Sequence, residues 1–256
     1  MIKFFRRIKY NLIETGKTSK YFKYAIGEIV LVVIGILLAL SINTWNNERE
    51  LIKTNKVFLN KMLKDLSAIE KRLNELVYDT QDEFPTLEEA VKASDSVLKL
   101  TYLGLDASHV NYVMTAPYFA GNPLLNLNDN TYSELSNTGK LYSVGTEALV
   151  DAITNYYKEG ERQTTYNLSN NELISDGFTK SEDGFGKMNL DYDIDSKNFD
   201  MTNYPFYFDK NTKEYKDFQI GMSYVLSSQR QNMTQMHTII AKTILLKELI
   251  KTELGL

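Results

Sequence analysis

Tyr24-Ala25-Ile26-Gly27-Glu28-Ile29-Val30-Leu31-Val32-Val33-Ile34-Gly35-Ile36-Leu37-Leu38-Ala39-Leu40-Ser41-Ile42-Asn43-Thr44-Trp45 is the stretch that decides how this chain is built. As a helix it measures about 31 Å at 1.5 Å per residue, close to the roughly 30 Å hydrocarbon core of a bilayer. Twelve residues from Ile26 to Ile42 are Ile, Leu or Val, and at roughly −0.4 kcal/mol each they favour insertion by about 5 kcal/mol. The one charge, Glu28, sits near the end of the stretch. There it can reach headgroups or pair with Lys20 or Lys23, or hold a partner helix as a polar contact. Tyr21, Phe22 and Tyr24 on one side and Trp45 on the other bracket the stretch as an interfacial aromatic belt.

Ala39-Leu40-Ser41 also offers small residues at the spacing of a signal-peptidase site. Against cleavage, the head of 23 residues is long for a signal peptide. The sequence beyond Ser41 also stays in helical register, with no Pro or Gly before Pro85. The expectation is an uncleaved anchor at 24–45. Gly35 and Ala39, four apart and on one face with Asn43, allow close helix approach, although an ordinary lipid-facing helix carries such residues too.

Charge sets the expected orientation. Residues 1–23 carry Lys3, Arg6, Arg7, Lys9, Lys17, Lys20 and Lys23 against a lone Glu14. The positive-inside rule puts that head in the cytoplasm and residues 46–256 in the periplasm of a Gram-negative cell. Phe5, Ile8 and Leu12 share a face, so the head reads either as a basic amphipathic segment against the inner leaflet or simply as the charge that sets topology. Beyond Ile42 there are 31 acidic against 22 basic residues. That surplus gives the body no general affinity for nucleic acid or anionic lipid. Cysteine is absent, which excludes disulfides, thiol chemistry and Cys-type zinc sites.

Ile52, Asn55, Leu59, Met62, Leu66, Ile69, Leu73 and Leu76 alternate steps of three and four, a heptad seam that carries the first helix to about Tyr78. Phe58, Leu63 and Val77 widen the stripe, which favours a bundle helix over a two-stranded coil. Asn55 in that seam sets register or lies solvated near the membrane. Thr86 with Glu89 forms a capping box for a second helix through Ala90, Val91, Val97 and Leu98 to Leu103, stopped by Gly104. Residues 105–128, with Pro117, Gly121 and Pro123, read as irregular apart from a helical turn at Val110 to Met114. Asn130 or Thr131 caps a short helix ended by Gly139. Thr146 and Glu147 open a longer one with Leu149, Val150, Ile153, Tyr156, Tyr157 and Leu168 inward. Residues 177–211 read as a long irregular insert. Tyr204-Pro205-Phe206-Tyr207-Phe208 within it either ties the loop down or stacks on a ligand or partner. Thr212 caps a last helix, with Tyr215, Phe218, Met222, Val225, Met233, Met236, Ile240, Ile244 and Ile250 inward and methionine as core filler.

Lys3-Phe4-Phe5-Arg6-Arg7-Ile8, then Lys20-Tyr21-Phe22-Lys23-Tyr24-Ala25-Ile26-Gly27-Glu28-Ile29-Val30, and Ile42-Asn43-Thr44-Trp45-Asn46 together resemble the opening of an uncharacterised family. Its members are single-pass membrane proteins common in the Bacteroidota, carried as a domain of unknown function. The likeness recurs more loosely at Thr131-Tyr132-Ser133-Glu134-Leu135, Gly139-Lys140-Leu141 and Tyr156-Tyr157. It implies a Gram-negative inner membrane and an outward helical domain, and it brings no activity.

Signs of chemistry are sparse. Asp191-Tyr192-Asp193-Ile194-Asp195 resembles the start of an EF-hand loop, but Ser196 stands where glycine is needed and Thr202 where a bidentate acid is needed. Gly184-Phe185-Gly186-Lys187 lacks the first glycine of a phosphate loop. His109 and His237 have no second ligand at metal spacing. The fold expected is mainly α: a transmembrane helix continuing into a helical-bundle ectodomain with a long irregular loop. The role expected is that of a non-catalytic, membrane-anchored periplasmic interaction or assembly protein with no cofactor or metal site. Its partners would be the bilayer and a protein partner or a second copy. The alternative is a small-ligand sensor signalling through a partner protein.

Overall fold

The computed structural model describes residues 10, 18–79, 85–116, 118 and 123–256. Phe5, Ile8 and Leu12 of the expected amphipathic head, and Pro117 and Gly121, lie outside the described residues. The protein is mainly helical, with no strand among the described residues. Its helices are α1 (Thr18–Tyr78), α2 (Leu87–Leu103), α3 (Val110–Thr115), α4 (Asn130–Asn137), α5 (Glu147–Lys180), α6 (Lys187–Ile194) and α7 (Lys213–Leu254). The chain divides into a first unit that ends at Val57 and a second that runs Phe58–Leu256.

In the first unit α1 carries the apolar stretch, and it is the one helix among the described residues long and apolar enough to cross a membrane. None of the twelve Ile, Leu and Val side chains from Ile26 to Ile42 is less than 48% exposed.

The second unit is an up-down-up-down bundle whose second leg carries only short helices among its described residues. Its axis is α7, and three sets of contacts fix the direction of its neighbours. Lys247 Nζ pairs with Glu70 at 2.7 Å and His237 Nε2 meets the Tyr78 hydroxyl at 2.7 Å, so the part of α1 from Phe58 to Tyr78 runs antiparallel to α7. Farther along, Ser94 donates to Gln229 Oε1 at 2.7 Å and Gln219 Nε2 donates to Thr101 Oγ1 at 3.2 Å. Thus α2 resumes the course that α1 leaves at Tyr78. On α5, Tyr156 meets Thr243 at 2.7 Å, Asn170 donates to Asn232 at 2.9 Å and Gly177 lies against Gly221. The leg 104–146 returns from α2 to the start of the unit, where Lys61 pairs with Glu134 at 3.3 Å and Thr131 donates to Asp65 at 2.5 Å.

Local sequence explains the helix ends. The Thr86 box closes in both directions, with Glu89 N–H donating to Thr86 Oγ1 at 3.2 Å and Thr86 N–H donating to Glu89 at 2.8 Å. Thr146 and Thr212 cap α5 and α7 through Oγ1. Gly104 ends α2 at φ 111°, a backbone region that L side chains resist. Thr86→Ala removes the cap of α2 and is expected to destabilise the unit by about 1 kcal/mol, measured by urea denaturation.

Two apolar clusters make the core. One gathers Leu59, Met62, Leu66, Leu73, Ile153 and Met236; the other gathers Val97, Val113, Ile174, Phe185, Phe218 and Val225. Polar side chains lie at the level where α1 ends and where the returning leg, at 123–129, runs outside any helix. An irregular backbone must find hydrogen-bond partners outside itself. Gln229 Nε2 donates to the Tyr118 carbonyl at 3.0 Å. Asn167 accepts from Leu125 N–H at 2.9 Å and donates to the Pro123 carbonyl at 3.2 Å. Asn170, Gln229 and Asn232 are all buried here. Asn232→Ala strands the Asn170 amide in the interior and is expected to cost about 2 kcal/mol, read from the shift of the urea midpoint.

Four expectations need correction. Asn130 and Thr131 lie inside α4, whose N-cap is Asp129, so neither caps it. Leu168 faces outward, 49% exposed, and the inward positions of that turn are Asn167 and Asn170. Apolar periodicity marks a helix's dry face, and here the facing backbone needs amides instead. Ile52 and Ile244 are also exposed; Ile52 precedes Phe58, where the second unit begins. The segment 177–211 is not irregular throughout: α5 runs on to Lys180, a π-helical turn spans Glu182–Gly186, and α6 reaches Ile194. Gly177 suggests a break in sequence, but it sits inside α5 because α7 crosses there too closely for a side chain.

Candidate functional site

Between the end of α5, the π-turn and α7 lies a cleft of about 590 Å³, within the size range of small-molecule sites. The sequence builds it in a short space. The Ser181 carbonyl accepts from Gly186 N–H at 2.8 Å, the i to i+5 bond that widens the turn, and from Gly184 N–H at 3.2 Å. A widened turn re-aims side chains, and such turns occur often at functional sites. Gly184 lets the turn press against α7, since a Cβ there would stand 2.8 Å from Glu214 Cβ. Phe185 thereby swings inward and stacks on Phe218, with centroids 3.9 Å apart and planes 2° from parallel.

The cleft has an apolar floor and a polar lip. Phe178, Phe185, Phe218, Leu190 and Tyr118 form the floor; Thr179, Ser181, Glu182, Asp183 and Lys187 form the lip. Lys187 is engaged by Asp191 one turn along α6. Glu182 and Asp183 are exposed, and neither forms an ion pair among the described residues.

Asp191, the first acid of the EF-hand-like run, lies in α6 and accepts the Tyr204 hydroxyl at 2.5 Å. Lys187 first and Tyr204 second hold its carboxyl below the usual range, while the bond to Asp191 raises the Tyr204 phenol to about 12. Asp195 is used elsewhere, accepting from Asn198 at 2.7 Å. Among the described residues no group of acids and histidines is placed to hold a metal ion. A carboxyl depressed in the folded state stabilises above its unfolded value near 3.9. That contribution fades as pH falls through the lower folded value. Tyr204→Phe is therefore expected to move the Asp191 titration upward, observable in a carbon-detected NMR titration of the side-chain carboxyl.

The Tyr204–Phe208 run ties the segment down. Tyr207 is fully buried and Tyr204 and Phe206 are half-buried, while Pro205 and Phe208 are exposed. Phe199 stacks on Tyr204 at 5.2 Å and meets Tyr192 edge-on at 5.1 Å. Burial, more than its charged surroundings, pushes the Tyr207 phenol upward. Both histidines are engaged: His109 Nδ1 accepts from Asp106 N–H at 3.2 Å and His237 stacks on Tyr78. A smaller groove of about 350 Å³ lies between α5 and the segment before α4, and the buried Tyr157 hydroxyl beside it has no hydrogen-bond partner among the described residues.

Residues 28–203 match the sequence model of a family of unknown function, DUF6090. The chain belongs to that family. The DUF6090 match begins inside the apolar part of α1 and takes in the whole cleft except Phe218. It ends before the last helix, which supplies the floor's stacking partner. No curated protein and no solved structure matches the chain. The π-turn and its acidic lip escape a motif search because Glu182-Asp183-Gly184 reads as a turn signal. The usable clue was the apolar spacing of Ile174, Phe178 and Phe185, which continues the inward face of α5.

Proposed function

We propose that this DUF6090 protein is a single-pass anchor of the inner membrane, with a cytoplasmic N-terminus and residues 46–256 in the periplasm. In this reading it is a non-catalytic interaction or assembly protein of the envelope. One observation carries the anchoring: the unbroken apolar run Ile29–Leu40, whose Ile, Leu and Val side chains are each at least 48% exposed. A soluble chain seldom leaves more than roughly 300–600 Å² of contiguous apolar surface in water. The basic head and acidic body support the orientation, and the resemblance of residues 1–50 to Bacteroidota membrane proteins supports the compartment. The partners are the bilayer and either a protein or a second copy; the acid surplus argues against nucleic acid.

A second reading, a small-ligand sensor acting through a partner, is favoured by the cleft, whose mixed lining suits a small molecule better than a flat protein surface. Site-specific photo-crosslinking in intact cells tests the interaction role. A crosslinker at Tyr142, 84% exposed, or at Tyr102 should give a discrete protein adduct that is lost when the anchor is deleted. Monomer alone from a panel of such positions would contradict an assembly role.

A further inference from the structure

We propose that the π-turn cleft binds a small organic cation with an apolar body, such as an aralkylammonium. The proposal rests on the ligand-binding reading above and names the ligand class. The floor offers half-buried Phe178 and exposed Leu190 above the stacked Phe185–Phe218 pair, a surface for a ring or short alkyl chain. The lip decides the charge. Its one base, Lys187, is already matched by Asp191, and the neighbouring Lys180 and Lys213 both pair with Asp217. Glu182 and Asp183 form no ion pair among the described residues, although Lys213 feels the Asp183 charge, and with Asp191 and Asp217 the acids around the mouth outnumber the lysines four to three.

An anionic ligand would have to break the Lys187–Asp191 pair and face two like charges. A neutral one would leave both carboxylates unused. An ammonium at the lip gains from the carboxylates while the apolar body of the ligand packs on Phe178 and Leu190. The acidic balance of the body, 31 acids to 22 bases beyond Ile42, draws cations toward the same side of the membrane.

Calorimetric titration of the full chain in zwitterionic nanodiscs, with empty nanodiscs as the blank, tests this. The probes are 2-phenylethylammonium, the neutral 2-phenylethanol and the anion 3-phenylpropionate. The expected result is saturable binding of the ammonium alone, weakened about tenfold in E182Q/D183N and abolished in Leu190→Arg. All three positions are exposed, so circular dichroism should report an unchanged fold. Equal binding of the alcohol, or an affinity indifferent to E182Q/D183N, overturns the assignment of charge and leaves the cleft a ligand site. Binding that survives Leu190→Arg places the ammonium elsewhere and overturns the proposal. Absence of binding by all three probes removes both the cation and the ligand-binding reading.

Discussion

Gly221→Ala is expected to destabilise the second unit by about 3 kcal/mol and to lower its melting temperature by roughly 6–12 °C. A Cβ at 221 would stand 2.2 Å from the Gly177 carbonyl oxygen and 3.1 Å from its carbon; one at 177 would stand 2.6 Å from the Gly221 oxygen. These are backbone atoms, which cannot rotate aside as a side-chain tip does. Relief requires α5 and α7 to separate, and they are held together on either side of the crossing by Asn170–Asn232 and Phe185–Phe218. The sign makes the test sharp. At an open helical position the same change raises stability by up to about 1 kcal/mol through helix propensity. A higher melting temperature in Gly221→Ala would show that the helices do not approach this closely.

The second large effect concerns the anchor. Ile34→Arg combined with Leu37→Arg is expected to release the protein from membranes on alkaline extraction. The apolar stretch favours insertion by about 5 kcal/mol, and each central arginine opposes it by about 3 kcal/mol while removing an apolar contribution. Two of them reverse the balance. Both positions are at least half exposed, so no core packing of the second unit is disturbed. The double variant remaining fully membrane-bound would mean that another segment does the anchoring.

The sequence disclosed most where the physics is local. Thr86, Thr146 and Thr212 cap helices through bonds to residues three positions on, so each start was legible from a few neighbours. The heptad from Leu59 to Leu73 was legible for the same reason, since periodicity alone places it. What depended on distant chain was not. Gly177 looks like a breaker until Gly221, 44 residues later, is known to cross it. Asn167 and Asn170 look like surface residues until the irregular leg and Asn232 present their bonding groups. Leu168 was assigned inward by that same blindness. The cleft combines both limits, because its floor needs α7 against the π-turn and its lip resembles an ordinary loop. For Tyr204–Phe208, sequence left tying-down and stacking open, and the burial of Tyr207 with the Phe199–Tyr204 stack decided for the former.

The most direct test of the account is a topology measurement on the untagged chain. Spheroplasts treated with protease, followed by mass spectrometry of the surviving peptide, should yield a membrane-protected fragment that retains the original N-terminus and ends beyond Trp45, with the helical body digested. Full protection of residues 46–256 until the membrane is lysed, or a mature protein that begins near Ile42, would contradict it.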